Sequence, residues 1–275
     1  MQEYIILLLK TVAIQIVALF GIFFVFGFVL NKIQNITQKK YYNSTGWKGI
    51  LWTAWFGTPI HEFGHFIFAV IFGHNIKDVI LFKPNQLNGN LGHVDHSYKK
   101  YSLYQRLGNF FIGGAPMIFG STLLFLMLYF LLPNGKEVFA PLSTDILNWQ
   151  QFFSGIYHSI LNLFTIENLN SWSFWLFLYL SFCIATHISP SKQDRKGMWD
   201  GLAFIILLLV LANAVSLALG VNISKYILWL KKYTSIFTAI FTYVFIISIV
   251  HLIVASIILY PIKKIKQKML AKYSR

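Results

Sequence analysis

Long apolar stretches separated by short polar ones set the rhythm of this chain. A helix needs about 20 residues to cross a bilayer. Runs of roughly that length occupy 4–30, 47–72, 108–132, 172–188, 200–220 and 236–260. They predict an all-α polytopic membrane protein with about six transmembrane helices. The fourth run is short, and the first carries Lys10 and Gln15. No repeat with a period of 20–50 residues is present, which excludes a solenoid or propeller array.

The polar intervals carry patterns of their own. Asn75 to Phe82 and Leu91 to Tyr98 alternate in polarity around a cluster of turn formers, Lys83 to Asn90. Two short strands forming a β-hairpin over 74–98, between helices 2 and 3, are the expectation. Such a hairpin either offers an edge strand to an extended peptide or is plain surface structure. The third run opens with Gly108, Gly113, Gly114, Pro116 and Gly120, small residues that allow helix backbones to approach closely. Residues 148–164 mix aromatic and polar groups without the length to span and predict an interfacial helix. His158 within it is expected to be an interface residue. Residues 261–275 form a basic amphipathic tail suited to an anionic leaflet. The chain thus reads as a single membrane-embedded domain, 1–275, with its core at 47–210.

Composition sharpens the class. The chain is 56% hydrophobic and 12% charged, with a mean hydropathy of +0.61. The net charge of +14 would suit nucleic acid, but the lysines and arginines lie between apolar runs and at the C-terminus. Membrane proteins use cations in that way to set orientation. With the N-terminus inside, 14 basic residues fall on the cytoplasmic side and eight on the other, so both termini are expected in the cytoplasm. The partners implied are the lipid bilayer and a membrane-associated peptide, with no nucleic acid. The single cysteine, Cys183, excludes an internal disulfide framework. The run from Tyr4 lacks a basic start and a small-residue cleavage site, so it is expected to be a retained helix.

Within the second run stands His61-Glu62-Phe63-Gly64-His65. On a helix the two histidines lie one turn apart on one face, where both imidazoles can hold one zinc while Glu62 acts as general base. With eight histidines and four glutamates in the chain, chance would produce this pattern on the order of 0.003 times. A glutamate inside a membrane-length run costs about 2.5–3.5 kcal/mol on insertion scales, so it needs a partner or a task. The structural alternative is a Glu62–lysine pair, with the histidines bonded inside the bundle.

Catalytic zinc takes three protein ligands and keeps one position open, so a third must come from elsewhere. The stretch from His187 to Gly201 holds Asp194 and Asp200. Asp194 is the first choice, because Ser191-x-x-Asp194 resembles a helix cap followed by an inward-facing acid. Asp200 is the alternative, and either could instead pair with Arg195 or Lys196. His187 is expected to support the site from behind. His93 and His96 could complete it but are more usual as surface residues in a turn-flanked strand.

These stretches resemble the site-2 protease-type intramembrane zinc metallopeptidases, over residues 47 to about 210. His61-Glu-Phe-Gly-His65 is the specific motif. Gly113-Gly-Ala-Pro116 is similar to the small-residue Gly-Pro stretch that follows a β region in that family. The 187–201 segment departs from the family's Asn-x-x-Pro-x-x-x-x-Asp-Gly: His187 replaces the asparagine, Pro190 keeps its offset, and Asp194 comes one residue early without a glycine. Asp200-Gly201 has the pair but lies too far on. The resemblance implies a minimal, zinc-dependent endopeptidase that cleaves membrane-associated or transmembrane peptides. Glu62 would serve as base and then proton donor, and the hairpin would receive an unwound substrate. Two other classes compete. A di-iron oxygenase could use His61-x-x-x-His65 and His93-x-x-His96 as histidine boxes, but the remaining histidines are scattered. A non-catalytic transporter or scaffold could retain a metal site, but no inverted repeat supports it.

Overall fold

The structure is a computed structural model that describes residues 2–143, 148–221 and 231–273. Residues 274 and 275 of the basic tail, and Lys225 of the orientation count, lie outside the described residues. Helices dominate, in the order α1 (Gln2–Thr45), α2 (Trp47–Ile71), β1 (Asn75–Ile80), β2 (His93–Ser97), α3 (Leu103–Leu131), α4 (Gly135–Ser143), α5 (Trp149–Leu163), α6 (Ile166–Asn170), α7 (Trp172–Ala185), α8 (Lys192–Ala218) and α9 (Lys231–Tyr273).

Among the described residues, four helices are long and apolar enough to cross a membrane. They are α1, α3, α8 and the part of α9 from Ser235 to Lys266. Two of the six expected spans do not reach that standard. α2 has 25 residues, but Lys48, Thr53, Thr58, His61, Glu62 and His65 lower its apolar content. α7 has 14 residues, about 21 Å of helix against a hydrocarbon core of about 30 Å. The helix expected over 148–164 is present as α5, with Trp149, Phe153 and Tyr157 exposed along one side and Gly155, Ser159 and Leu163 buried along the other.

Local chemistry sets the ends that position the site. Gly46, at φ +69°, divides α1 from α2, and the left-handed conformation there suits glycine because it lacks a Cβ. Gly73, at φ +67°, closes α2: its N–H donates to Val70 and that of His74 to Ala69. This 5→2 and 6→1 pairing satisfies the last carbonyls and turns the chain into β1. Ser102 caps α3 by accepting from Gln105. Ser191 caps α8 reciprocally with Asp194.

The hairpin pairs antiparallel, from Asn75 opposite Ser97 to Ile80 opposite His93, with a bulge at Lys77. Its strands are shorter than the expected 75–82 and 91–98, because the Pro84-to-Asn90 turn widens the loop.

The helices bury two apolar groups. The larger gathers Leu124, Leu128, Phe174, Phe177, Tyr243 and Ile247 from α3, α7 and α9. The smaller sets Phe110 of α3 against Met198, Leu202 and Ile205 of α8, with Phe20, Phe23 and Phe24 of α1 packed on it. Gln15, polar within the first apolar run, exchanges two hydrogen bonds with Asn213 of α8. The opposite side of α1 exposes Val17, Val25 and Phe28.

Candidate metal centre

Glycines bring three helices together here. A Cβ at Gly64 of α2 would press on the carbonyl of Ala115 and on Phe119 of α3, at 3.3 Å each. A Cβ at Gly113 of α3 would run into Met198 and the carbonyl of Asp194, and one at Gly201 of α8 into the backbone of Phe110. The Gly113-Gly114-Ala115-Pro116 stretch therefore lets α2 and α8 approach α3 from two sides. That approach carries the first turn of α8 to the histidines.

The result is a triangle of donor side chains. His61 Nε2 and His65 Nε2 lie 3.2 Å apart. Asp194 Oδ2 is 3.4 Å from His61 Nε2, and Asp194 Oδ1 is 3.3 Å from His65 Nε2. Each histidine spends its other nitrogen on a main-chain carbonyl: His61 Nδ1 donates to His187 (2.5 Å) and His65 Nδ1 to Ile112 (2.8 Å). With the protons at Nδ1, both Nε2 atoms present lone pairs toward each other and toward a carboxylate. Two lone pairs at 3.2 Å repel unless a cation sits between them. Zinc bonds of about 2.0–2.1 Å arranged tetrahedrally require ligand atoms about 3.3 Å apart, and each of the three distances is close to that value, with Asp194 turning a different oxygen to each histidine. The site thus has three donors of the types zinc takes, main-chain hydrogen bonds that fix both tautomers, and a side open to the cavity. Among the described residues, His61, His65 and Asp194 form the one group of three or more side chains that could hold a metal ion.

Asp194 is held by its own helix end, where Ser191 N donates to its Oδ2 (2.6 Å) and its N donates to Ser191 Oγ (3.2 Å). The turn before it is tied down as well. Arg195 donates to the Pro190 carbonyl (2.9 Å), and two glutamines of α1 bond the main chain at Thr186 and Ser189. Asp200 takes no part. Its Oδ2 accepts from Asn109 (2.8 Å) and from Tyr98 (3.2 Å), linking α8 to α3 and to the chain after β2. His187 contributes its carbonyl, while its ring is buried beside Cys183 and Thr186. His93 pairs with Asp78 on the hairpin (3.1 Å).

The three donors open into a cavity of about 540 Å³. Glu62 lines it, and Gly92, just before β2, is pressed so close that a Cβ would sit 3.1 Å from the Glu62 side chain. The glutamate is 8% exposed. His96 also lines the cavity, and His74 sets its tautomer. His74 Nε2 donates to the Gln105 carbonyl (2.9 Å), so its Nδ1 must accept from His96 Nδ1 (2.9 Å). Burial lowers the pKa of His74. Burial, with the nearby His74, lowers that of His96 to about 4, so both rings are neutral at pH 7.

The fourth wall was not expected. Asn31, Gln34, Asn35 and Gln38 of α1 line the same cavity as the donors. The apolar run ends at Leu30, but the helix continues to Thr45. Amides at i, i+3, i+4 and i+7 were the signal available in the sequence.

Compared with known proteins, the chain matches no family model, no curated protein and no solved structure.

Proposed function

We propose that this chain is a multi-pass membrane protein with zinc-dependent endopeptidase activity of the site-2 protease type, acting on membrane-associated or transmembrane peptides. The observation that carries the reading is the convergence of two tautomer-fixed Nε2 atoms and the Asp194 carboxylate beside Glu62 in one cavity. Zinc held by His61, His65 and Asp194 would polarise the scissile carbonyl and make water acidic enough to be deprotonated near neutral pH. Glu62 takes the proton from the attacking water and passes it to the leaving amine. Its burial beside the donors keeps that proton from bulk solvent. A helical substrate hides its backbone amides in internal hydrogen bonds, so the segment to be cut must be extended. The outer edge of β2 pairs with no other strand among the described residues and borders the cavity, where it would receive that segment. Both termini are assigned to the cytoplasmic side on the distribution of basic residues.

Two other readings remain distinguishable. Two histidines and a carboxylate also suit non-haem iron, but Glu62 would then have no task. A multi-box di-iron centre finds no second cluster, since the described residues around His93 and His96 offer no group of three ligands. A metal-binding scaffold or transporter would work without Glu62. The test is Glu62→Gln: metal content measured on the purified protein, together with proteomic comparison of membrane fragments in cells carrying either form. Stoichiometric zinc in both, with fragments lost only in the variant, supports the peptidase. Identical fragments and unchanged cellular function would favour the scaffold.

A further inference from the structure

The amide wall of α1 has a property that packing does not require. Each of its four side chains lines the cavity and is hydrogen-bonded to the protein at one end of its amide. Asn35 Nδ2 donates to Asn31 Oδ1 (2.8 Å), which leaves the Asn31 NH₂ and the Asn35 carbonyl. Gln34 Oε1 accepts from Ser189 N (3.0 Å), which leaves the Gln34 NH₂. Gln38 Nε2 donates to the Thr186 carbonyl (2.7 Å), which leaves the Gln38 carbonyl. The free ends therefore fall into two rows, Asn31 with Asn35 and Gln34 with Gln38. In each row the unbonded end is an NH₂ at one position and a carbonyl one turn later, with the second N–H of the bonded Asn35 and Gln38 amides also left over.

One helical turn of four residues rises about 6 Å. Main-chain groups on one side of an extended strand recur at about 6.5–7 Å. An apolar ligand would have no use for such rows. A polypeptide backbone, which presents C=O and N–H alternately and carries no charge, matches them. Residues of β2 line the same cavity, so a strand lying in it would have main-chain partners on β2 as well as the amides of α1.

We infer that Asn31, Gln34, Asn35 and Gln38 form a backbone-reading wall that holds an extended peptide over the metal centre whatever its side chains. The inference rests on the peptidase reading for what happens to that peptide, but it concerns binding alone. On the α1 side the cavity lining is amides, while the charged lining residues Glu62, Asp95, Lys192, Asp194 and Arg195 come from α2, β2 and α8. The amides satisfy a peptide's hydrogen bonds without the desolvation cost of an ion.

The experiment uses the full-length Glu62→Gln protein in detergent. The probes are a fluorescein-labelled octapeptide of alternating valine and threonine, whose β-branched residues favour extension, and the same peptide N-methylated at its central amides. Asn31→Leu and Asn35→Leu are each expected to raise Kd by about three- to ten-fold, the value of one hydrogen bond, with metal content unchanged. N-methylation, which needs no change in the protein, should weaken binding to the unsubstituted wall by a similar factor. It should add little in the Asn35→Leu background, because the lost N–H and the lost acceptor are partners. No binding of the octapeptide, equal affinity in the wall variants, or fully additive losses would overturn the inference. A wild-type protein that cleaves nothing yet binds the peptide through this wall would sink the peptidase reading and leave the wall standing. Cleavage of membrane peptides with indifferent wall variants would do the reverse.

Discussion

Asp194 and Asp200 sit in the first turns of one helix, and their replacement separates ligation from stability. Asp194→Ala removes the carboxylate that accepts from Ser191 N, half of a reciprocal helix cap, at a cost of about 1 kcal/mol. Asp200→Ala removes two partly solvated hydrogen bonds, from Asn109 and Tyr98, together about 1–2 kcal/mol. Both variants should therefore lose a few degrees in thermal midpoint when metal is stripped, at about 2–4 °C per kcal/mol. Only Asp194→Ala takes a corner from the donor triangle. After purification and dialysis against a weak chelator, inductively coupled plasma mass spectrometry should find about one zinc per chain in wild type and in Asp200→Ala, and almost none in Asp194→Ala. Addition of EDTA should lower the melting temperature of the first two and leave the third unchanged, because a ligand stabilises only the fold that binds it. Full zinc retention by Asp194→Ala, or equal loss from both variants, would refute the assignment.

Three further outcomes follow. Glu62→Gln should keep zinc and reduce cleavage by about 10²–10⁴-fold, measured with any substrate that proteomics delivers; retained activity would remove Glu62 as the base. Gly113→Val should push α8 off α3, because its side chain would collide with the Asp194 carbonyl and Met198. It should cost about 1–3 kcal/mol and most of the zinc affinity, read by competition with a chromophoric chelator. His96 in the folded chain is protonated only below about pH 4, against its ordinary value of 6.5. Between those values the unfolded chain binds more protons, so the His96 contribution to stability falls as pH is lowered from 6.5 towards 4 and is gone below that. The contribution is about 1–2 kcal/mol once discounted for partial exposure. Melting at pH 7 and pH 5 should show the drop in wild type and a smaller one in His96→Gln; equal drops would contradict it.

The residues of the donor triangle were legible because each is declared locally. His61 and His65 are one turn apart on a helix any reader would draw, and Ser191 three residues before Asp194 announces a cap that fixes where the acid stands. The choice between Asp194 and Asp200 was harder. It depends on Asn109 and Tyr98, which claim Asp200 from elements about 100 residues earlier in sequence, and no local pattern reports that. For a related reason, four of the six expected spans meet the length and hydropathy of a crossing helix among the described residues. Hydropathy alone gave α2 and α7 the same status as α1, but α2 carries the site's polar groups and α7 stops at Ala185 to make the turn that supports His61. The amide wall went unread because polarity after Leu30 looked like the end of a helix. Asn31, Gln34, Asn35 and Gln38 form a face only once the helix is known to continue, and their task emerges only when α2 and α8 line the same cavity.

Neither carbonyl that sets the two imidazole tautomers comes from a side chain. His187 and Ile112 contribute only peptide oxygen, so the readiness of both rings to bind a cation is inherited from the course of the backbone and not from the residues written there. Substitution at either position can alter packing but cannot delete the acceptor. The proton arrangement at the heart of the site is therefore shielded from point mutation, and only an event that reroutes the chain, such as an insertion between Ala185 and Ser191, would erase it.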